Sequence, residues 1–356
     1  MRYTPDIKKI VASLTGSTVP VIAVLGDYCL DKYLYIDADL DEPSVETGLT
    51  AYQVRRIETF PGVGGTITNN LRSLGAKVFC FGIYGEDGEG YDLLKALQKI
   101  GADTTGMFSS PEIVTSTYMK PMRRQNGVWT ELNRLDIRNA VPSPGSLLDK
   151  IKEDFSHKVE MCDAVIISDQ FTHEAGSVLT DDFRNFIAET ARKHPRVFFL
   201  GDSRSFIEKY REIVVKCNAS EILAAWNRIQ NRETEQFVAP DDSAFEQEDK
   251  LIEAGIGMSQ RNARPVLVTR GSRGSLLFQG DEISEIPSYQ VPPPIDICGA
   301  GDATNAGFAF GRSLGLSLQD SAFLAGIVSS ITIQQIGTTG TATIPQLCAR
   351  LETIDS

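Results

Sequence analysis

Short apolar runs alternate with amphipathic segments along nearly the whole chain. Val21–Gly26, Lys77–Ile83, Ala164–Ser168, Val197–Leu200, Ile213–Lys216 and Val266–Thr269 are almost continuously apolar, the pattern of strands buried on both faces. Between them, Gly88–Ile100, Asp182–Lys193, Asp242–Gln260 and Ala300–Leu314 carry apolar residues at helical spacing. Alternation of this kind predicts an α/β chain, a three-layer αβα sandwich with a mostly parallel central sheet.

Two stretches, about 32–60 and 115–138, break the alternation and are rich in Tyr, Val, Thr and Arg. Lys32-Tyr-Leu-Tyr-Ile and Thr117-Tyr-Met-Lys alternate as half-exposed strands do. They predict one small β-sheet projecting from the α/β body, where it can serve as a lid over a cleft. No internal repeat interrupts the pattern, so residues 1–356 read as a single domain with the lid sheet inserted in it. The most polar stretch, Glu233–Asp249, reads as a loop leading into a helix.

Composition narrows the class. With 35 basic against 47 acidic residues the net charge is −12, the wrong sign for a non-specific nucleic-acid binder or a protein of anionic membranes. No apolar run approaches membrane-spanning length, and the first twenty residues lack the features of a secretory signal, so the expected location is cytoplasmic. The six cysteines lie far apart without a CxxC pair, which favours free thiols. His157, His173 and His194 show no zinc-enzyme spacing. Lys120, Arg123 and Arg124 form a small basic cluster in the second lid stretch, read as a solvated strand face or a guide for phosphorylated ligands.

The chemistry concentrates near position 300. No GxxxxGK[ST] run occurs, and Pro61-Gly-Val-Gly-Gly-Thr only approaches GxGxxG. In Asp296-Ile-Cys-Gly-Ala-Gly-Asp-Ala, small residues lead directly into a helical pattern. The first turn of such a helix leaves backbone amides free to meet an anion. Asp302 lies in that turn, where the helix dipole favours its ionised form. The spacing fits a helix-end acid beside a tight turn as well as a base that takes a proton from an attacking hydroxyl.

This segment resembles the DTxGAGD signature of PfkB-type (ribokinase-like) carbohydrate kinases, and further motifs follow the family's order. Val24-Leu-Gly-Asp-Tyr-Cys-Leu-Asp-Lys-Tyr resembles the first strand of the heptose phosphate kinase branch, as does Leu132-Asn-Arg-Leu-Asp a lid strand. Phe60-Pro-Gly-Val-Gly-Gly-Thr, with Asn70-Leu-Arg-Ser-Leu-Gly-Ala after it, resembles the glycine-rich sugar motif and its helix. Val266-Leu-Val-Thr-Arg-Gly-Ser-Arg-Gly and Ile336-Gly-Thr-Thr-Gly-Thr resemble loops beside the nucleotide.

The resemblance implies ATP-dependent phosphorylation of a hydroxyl on a sugar or sugar phosphate. Asp302 becomes the catalytic base, and Gly299, Ala300 and Gly301 the anion hole. Asp31, Gly64, Gly65, Thr66, Asn70 and Arg134 fall on the substrate side. Asn218, Glu221, Thr269, Gly271 and Gly274 fall on the ATP side, with Glu221 organising Mg²⁺ largely through water. A monovalent cation such as K⁺ and a homodimer formed through the lid sheet are further expectations. A nucleoside kinase, or a sugar- or nucleotide-sensing protein without useful catalysis, are the alternatives on the same fold. Several positions depart from the pattern: Thr66 replaces a common Asn, Val63 a glycine, Cys298 a Thr or Ser, Cys217 a frequent Pro and Arg204 a Lys. These departures concern the substrate more than the phosphoryl transfer.

Overall fold

The computed structural model describes residues 2–125, 127–172, 175–231 and 248–355. Its central sheet has nine strands, in the order Glu282–Ile286, Ser275–Gln279, Val266–Thr269, Val214–Asn218, Phe198–Ser203, Ala164–Asp169, Val21–Gly26, Lys77–Gly85 and Asp103–Ser110. Pairing is parallel from Val266–Thr269 through Asp103–Ser110, and the last two strands on the other edge run antiparallel. Side chains alternate between two cores. Ile22 and Val24 enter one, beside the helices Gly64–Ser73, Ala300–Ser313 and Leu318–Thr332. Ala23 and Leu25 enter the other, beside Gly145–Lys158, Asp181–Lys193, Ala219–Ile229 and Glu248–Asn262. The period of two in a strand thus converts a continuous apolar run into a sheet covered on both faces.

Val21–Gly26 and Val266–Thr269 fall where the pattern predicts. Other strands run further at their C-terminal ends, to Gly85, Asp169, Ser203 and Asn218. Apolar patterning stops at these polar residues, but the backbone ladder does not: Asp169 pairs with Ser203, and Asn218 with Thr269. Of the predicted segment Asp242–Gln260, a helix is present over Glu248–Asn262; residues 242–247 lie outside the described residues, as do His173 and most of the polar stretch from Glu233.

The two interrupting stretches meet in a second sheet of five strands. Leu135–Ile137, Thr117–Gln125, Tyr28–Ile36 and Val54–Val63 lie in that order, and Val128–Glu131 pairs with Thr117–Gln125. Its central strand begins one residue after the first strand of the main sheet ends, so the chain crosses from one sheet to the other at Asp27. Asp27 is buried and fixes this crossing. Its carboxylate accepts the amides of Gln170 (2.9 Å) and Phe171 (2.8 Å) and the Ser177 hydroxyl (2.7 Å), while its carbonyl accepts the Gly64 amide at 3.1 Å. No helix among the described residues is long and apolar enough to cross a membrane. All six cysteines are free, with Cys298 exposed.

Candidate functional site

The helix Ala300–Ser313 starts from Gly299, whose φ of 76° lies in the left-handed region that glycine enters without a Cβ clash. No side chain caps this end. The Ala300 amide donates to the Ile297 carbonyl at 3.1 Å and the Ala303 amide to the Gly299 carbonyl at 2.9 Å. The amides of Gly299, Gly301 and Asp302 have no protein acceptor among the described residues. Ala300 therefore leaves the expected trio of free amides, because its N–H closes the turn that starts the helix, and the Asp302 amide takes its place.

Asp302 stands half-buried at this end. Burial pushes its carboxyl up to about 7; the nearby charge of Asp202 adds to the rise, and Lys216 and Arg204 oppose it. The helix dipole, expected to favour the ion, is outweighed by lost hydration and by the neighbouring carboxylate. Beneath the helix end lies a buried polar group. The Lys216 ammonium donates to Asp202 at 3.0 Å, and Asn305, one turn beyond Asp302, donates to the same oxygen. A Cβ at Gly301 would sit 3.1 Å from the Lys216 nitrogen, so the glycine lets this cation approach the free amides.

On one side of the helix end, a groove of about 1000 Å³ opens to solvent. Thr269, Gly271 and Gly274 form one wall, Ala300, Gly301 and Thr304 border the helix, and Tyr289, Ile297 and Ile333 supply apolar surface. Gly274 has φ 79°, and a Cβ there would lie 2.1 Å from the Ile286 carbonyl oxygen, so only glycine fits this turn. Asn218 and Glu221 form a reciprocal cap on the helix Ala219–Ile229: the Glu221 amide donates to the Asn218 side chain, and the Asn218 amide to the Glu221 carboxylate, both at 2.8 Å. The Glu221 carboxyl is raised to about 7, first by burial and then by Asp202, while Lys216 acts in the opposite direction. The helix-start role and a place in the charged cluster thus coexist in one residue.

The other side is built from the second sheet. Asp31 lies opposite Phe60 and Tyr118 in the ladder and makes an ion pair with Lys120 at 3.0 Å. Lys120 also donates to the Tyr33 hydroxyl at 3.1 Å; Asp31 and Tyr33 raise its pKa against the opposing effect of burial. Burial raises the pKa of the Cys298 thiol, with Asp296, Asp31 and Asp302 adding to the rise and Lys120 opposing it. Gly62 gives Asp31 room, since a Cβ there would meet its carboxylate at 2.8 Å. Gly64 and Gly65 pack against Asp27, Tyr28 and Pro61. Thr66 and Asn70 are buried, and the Asn70 amide nitrogen donates to the Thr66 carbonyl at 3.1 Å.

Arg134, expected on the substrate side, donates from its Nε and one Nη to Asp136, at 2.7 and 2.9 Å. A second pocket beside the sheet is lined by Tyr118, Arg138, Asn139, Gln170 and Arg204, and Arg138 shares Asp136 with Arg134, donating to it at 2.8 Å. Val63, at the position of the missing glycine, takes φ 58°, an unfavourable conformation for a β-branched residue.

Sequence reasoning missed Asp202 and Lys216 as site residues. A signal existed, because Lys216 interrupts an apolar run whose neighbours Val215 and Cys217 are buried. A lysine inside such a strand needs an anion. Lys120, expected on a solvated strand face or as a guide for phosphorylated ligands, has a side chain only 12% exposed. Among the described residues no three His, Cys, Asp or Glu side chains converge closely enough to ligate a metal directly.

Comparison with known proteins places this geometry in a family. The family model described as pfkB family carbohydrate kinase matches residues 27–345. The "bifunctional protein HldE" of Trichlorobacter lovleyi is 27% identical over 334 residues, covering 93% of this chain and 63% of that protein; its counterpart in Sulfurimonas denitrificans is 26% identical, covering 92% and 63%. The chain thus spans less than two thirds of the length of these relatives. Among solved structures, Arabidopsis thaliana ribokinase complexed with ribose and ATP superposes with a TM-score of 0.65 at 17% identity, covering 94% of this chain and 99% of that one. Escherichia coli phosphofructokinase-2 in complex with potassium gives 0.70 at 14% identity, covering 95% and 100%. These likenesses establish a ribokinase-like fold. The family match runs from the buried hub at Asp27 past the helix end at Asp302, and the chain belongs to the pfkB family of carbohydrate kinases, ATP-dependent enzymes acting on sugars.

Proposed function

We propose that this kinase transfers the γ-phosphoryl group of ATP to a hydroxyl of a sugar or sugar phosphate, with Asp302 as the base. One observation carries the reading: a carboxyl raised to about 7 shares a helix end with the unbonded amides of Gly299, Gly301 and Asp302. A hydroxyl held against Asp302 loses its proton to the carboxylate as its oxygen attacks phosphorus. The free amides, with Lys216 beneath Gly301, hold the charge gathering on the transferred oxygens. The groove between Thr269 and Ile333 suits the nucleotide, its apolar wall taking the base and its small residues the phosphates.

Asp202, Glu221 and Asp302 bring three carboxyls against Lys216 and the more distant charge of Arg204, a group of acids that fits a divalent cation. With no cage of direct ligands among the described residues, the arrangement suits Mg²⁺ held through water by Glu221 and Asp202. Mg²⁺ would neutralise the ATP phosphates. Asp296 ties the approach to the helix to the late loop, accepting the amides of Cys298 and Gly337, both at 3.0 Å, and a K⁺ requirement is assigned to this junction. Comparing activity in potassium and sodium salts tests that assignment.

On the acceptor side, Asp31 accepts sugar hydroxyls once Lys120 shares it, and the Arg138–Arg204 pocket takes a phosphate already on the sugar. The second sheet acts as the lid. Its exposed Val54, Ile57 and Leu135 support pairing with a second copy, which a solution mass of one chain would refute. A panel of sugars, sugar phosphates and nucleosides, assayed for ATP consumption, tests the whole reading. Turnover only with nucleosides, or with nothing, would overturn it.

A further inference from the structure

A second set of cations lies outside the cleft, where the helix Asp181–Lys193 meets the short turn Ile207–Lys209 and the ends of the helices Ala219–Ile229 and Glu248–Asn262. They line an open groove of about 1060 Å³. Lys209 and Arg184 are engaged by Asp181 at 2.8 and 2.9 Å, and Arg184 also by Asp169 at 3.0 Å. Arg228 makes two bonds to Glu208, at 2.9 and 2.7 Å. The carboxylates of the groove are therefore taken.

Arg211 and Arg261 are left over. Arg211 is half-buried, and one of its terminal nitrogens donates to the carbonyls of Glu208 (2.7 Å) and Tyr210 (2.6 Å). Those bonds fix the direction of the guanidinium without neutralising it. Neither arginine has a carboxylate within ion-pair distance among the described residues, and the charge of Arg261 reaches Arg211. Burial and this like charge together make the Arg211 cation costly to hold, which lowers its pKa. The charge of Glu208 also reaches Arg211 and works the other way, but that carboxylate is held by Arg228. One fixed guanidinium, Arg211, and one exposed guanidinium, Arg261, line the same open groove and suit a phosphate group, whose oxygens accept from such planar forks.

We propose that this outer groove is a binding site for a phosphate-bearing small molecule, held by Arg211 and Arg261 and distinct from the ATP and acceptor sites. The inference does not depend on the kinase reading. Its test uses inorganic phosphate as the probe, with the cleft first saturated by Mg²⁺ and a non-hydrolysable ATP analogue. Thermal unfolding is followed while phosphate is added at constant ionic strength. The wild type is expected to gain further thermal stability, because a ligand of the native state raises the midpoint. Arg261→Ala removes an exposed side chain with no folding role and should weaken the apparent phosphate affinity about tenfold, as should Arg211→Gln. Asp302→Asn should respond as the wild type does, which separates this site from the cleft. An absent wild-type response, an undiminished response in Arg261→Ala, or an equal effect of chloride would each overturn the proposal.

Discussion

The two halves of the cleft are built by different means. On the side of the Thr269–Ile333 groove, assigned above to the nucleotide, strand ends and helix starts of the main sheet hold the polar groups: Asp202, Lys216 and Asn305 are all buried, and the helix end presents free backbone amides. On the acceptor side, the polar groups come from the second sheet and are satisfied by one another, as in Lys120 with Asp31 and Arg134 with Asp136. The first arrangement is organised before any ligand arrives. The second, on the proposed reading, exchanges partners when a sugar enters. A half of fixed backbone suits a constant substrate such as ATP; a half of exchangeable side chains suits an acceptor that differs from one relative to another.

Substitutions can break this contrast. The largest effect belongs to the group between the halves. Asp302→Asn is expected to lower kcat by about 10²- to 10⁴-fold, the usual worth of a positioned base, with little change in ATP binding measured by titration. Next comes Lys216→Met, which strands the buried Asp202 without its cation. It should cost about 3–5 kcal/mol of stability, read as a lower denaturation midpoint. Asp31→Ala, on the exchangeable side, leaves the largely buried Lys120 without its partner and so lowers the unfolding midpoint, but should leave the KM for ATP unchanged while lowering acceptor kcat/KM about 10- to 100-fold. If Asp31→Ala instead impaired both substrates equally, the division into two halves would fail. Smallest is Val63→Gly, which relieves the positive-φ valine at the acceptor motif and should stabilise the protein by about 1 kcal/mol in chemical unfolding.

Much of the fold was legible because the main sheet is buried on both faces, so its strands appear as bare apolar runs. The strand ends were not, since Asp169, Ser203 and Asn218 read as loop residues although their backbones remain in the ladder. Asp302, Gly299 and Gly301 could be placed at a helix end from sequence because a helix start and its small residues are local features. Asp202 and Lys216 escaped because their pairing joins different strands, fourteen positions apart in sequence. The Ala300 amide could not have been assigned from sequence, as its use depends on the turn at Ile297. Arg134 was visible as a charge, but its neutralisation two residues on by Asp136 depends on how the side chains turn.

The raised acids also set a pH dependence. Folding favours the neutral forms of Asp27, Asp302 and Glu221, each lifted to about 7. Their stabilising contribution is full in acid and lost as pH climbs from the ordinary carboxylate range to about 7. Turnover has the opposite sign, because only ionised Asp302 takes a proton. The most direct test of Asp302 as the base is therefore the pH profile of kcat/KM for the acceptor, in the wild type and in Asp302→Asn. A tenfold fall per pH unit below a midpoint near 7, absent from the residual activity of Asp302→Asn, is the expected result. A flat wild-type profile, or the same profile in a fully active Asp302→Asn, would contradict it.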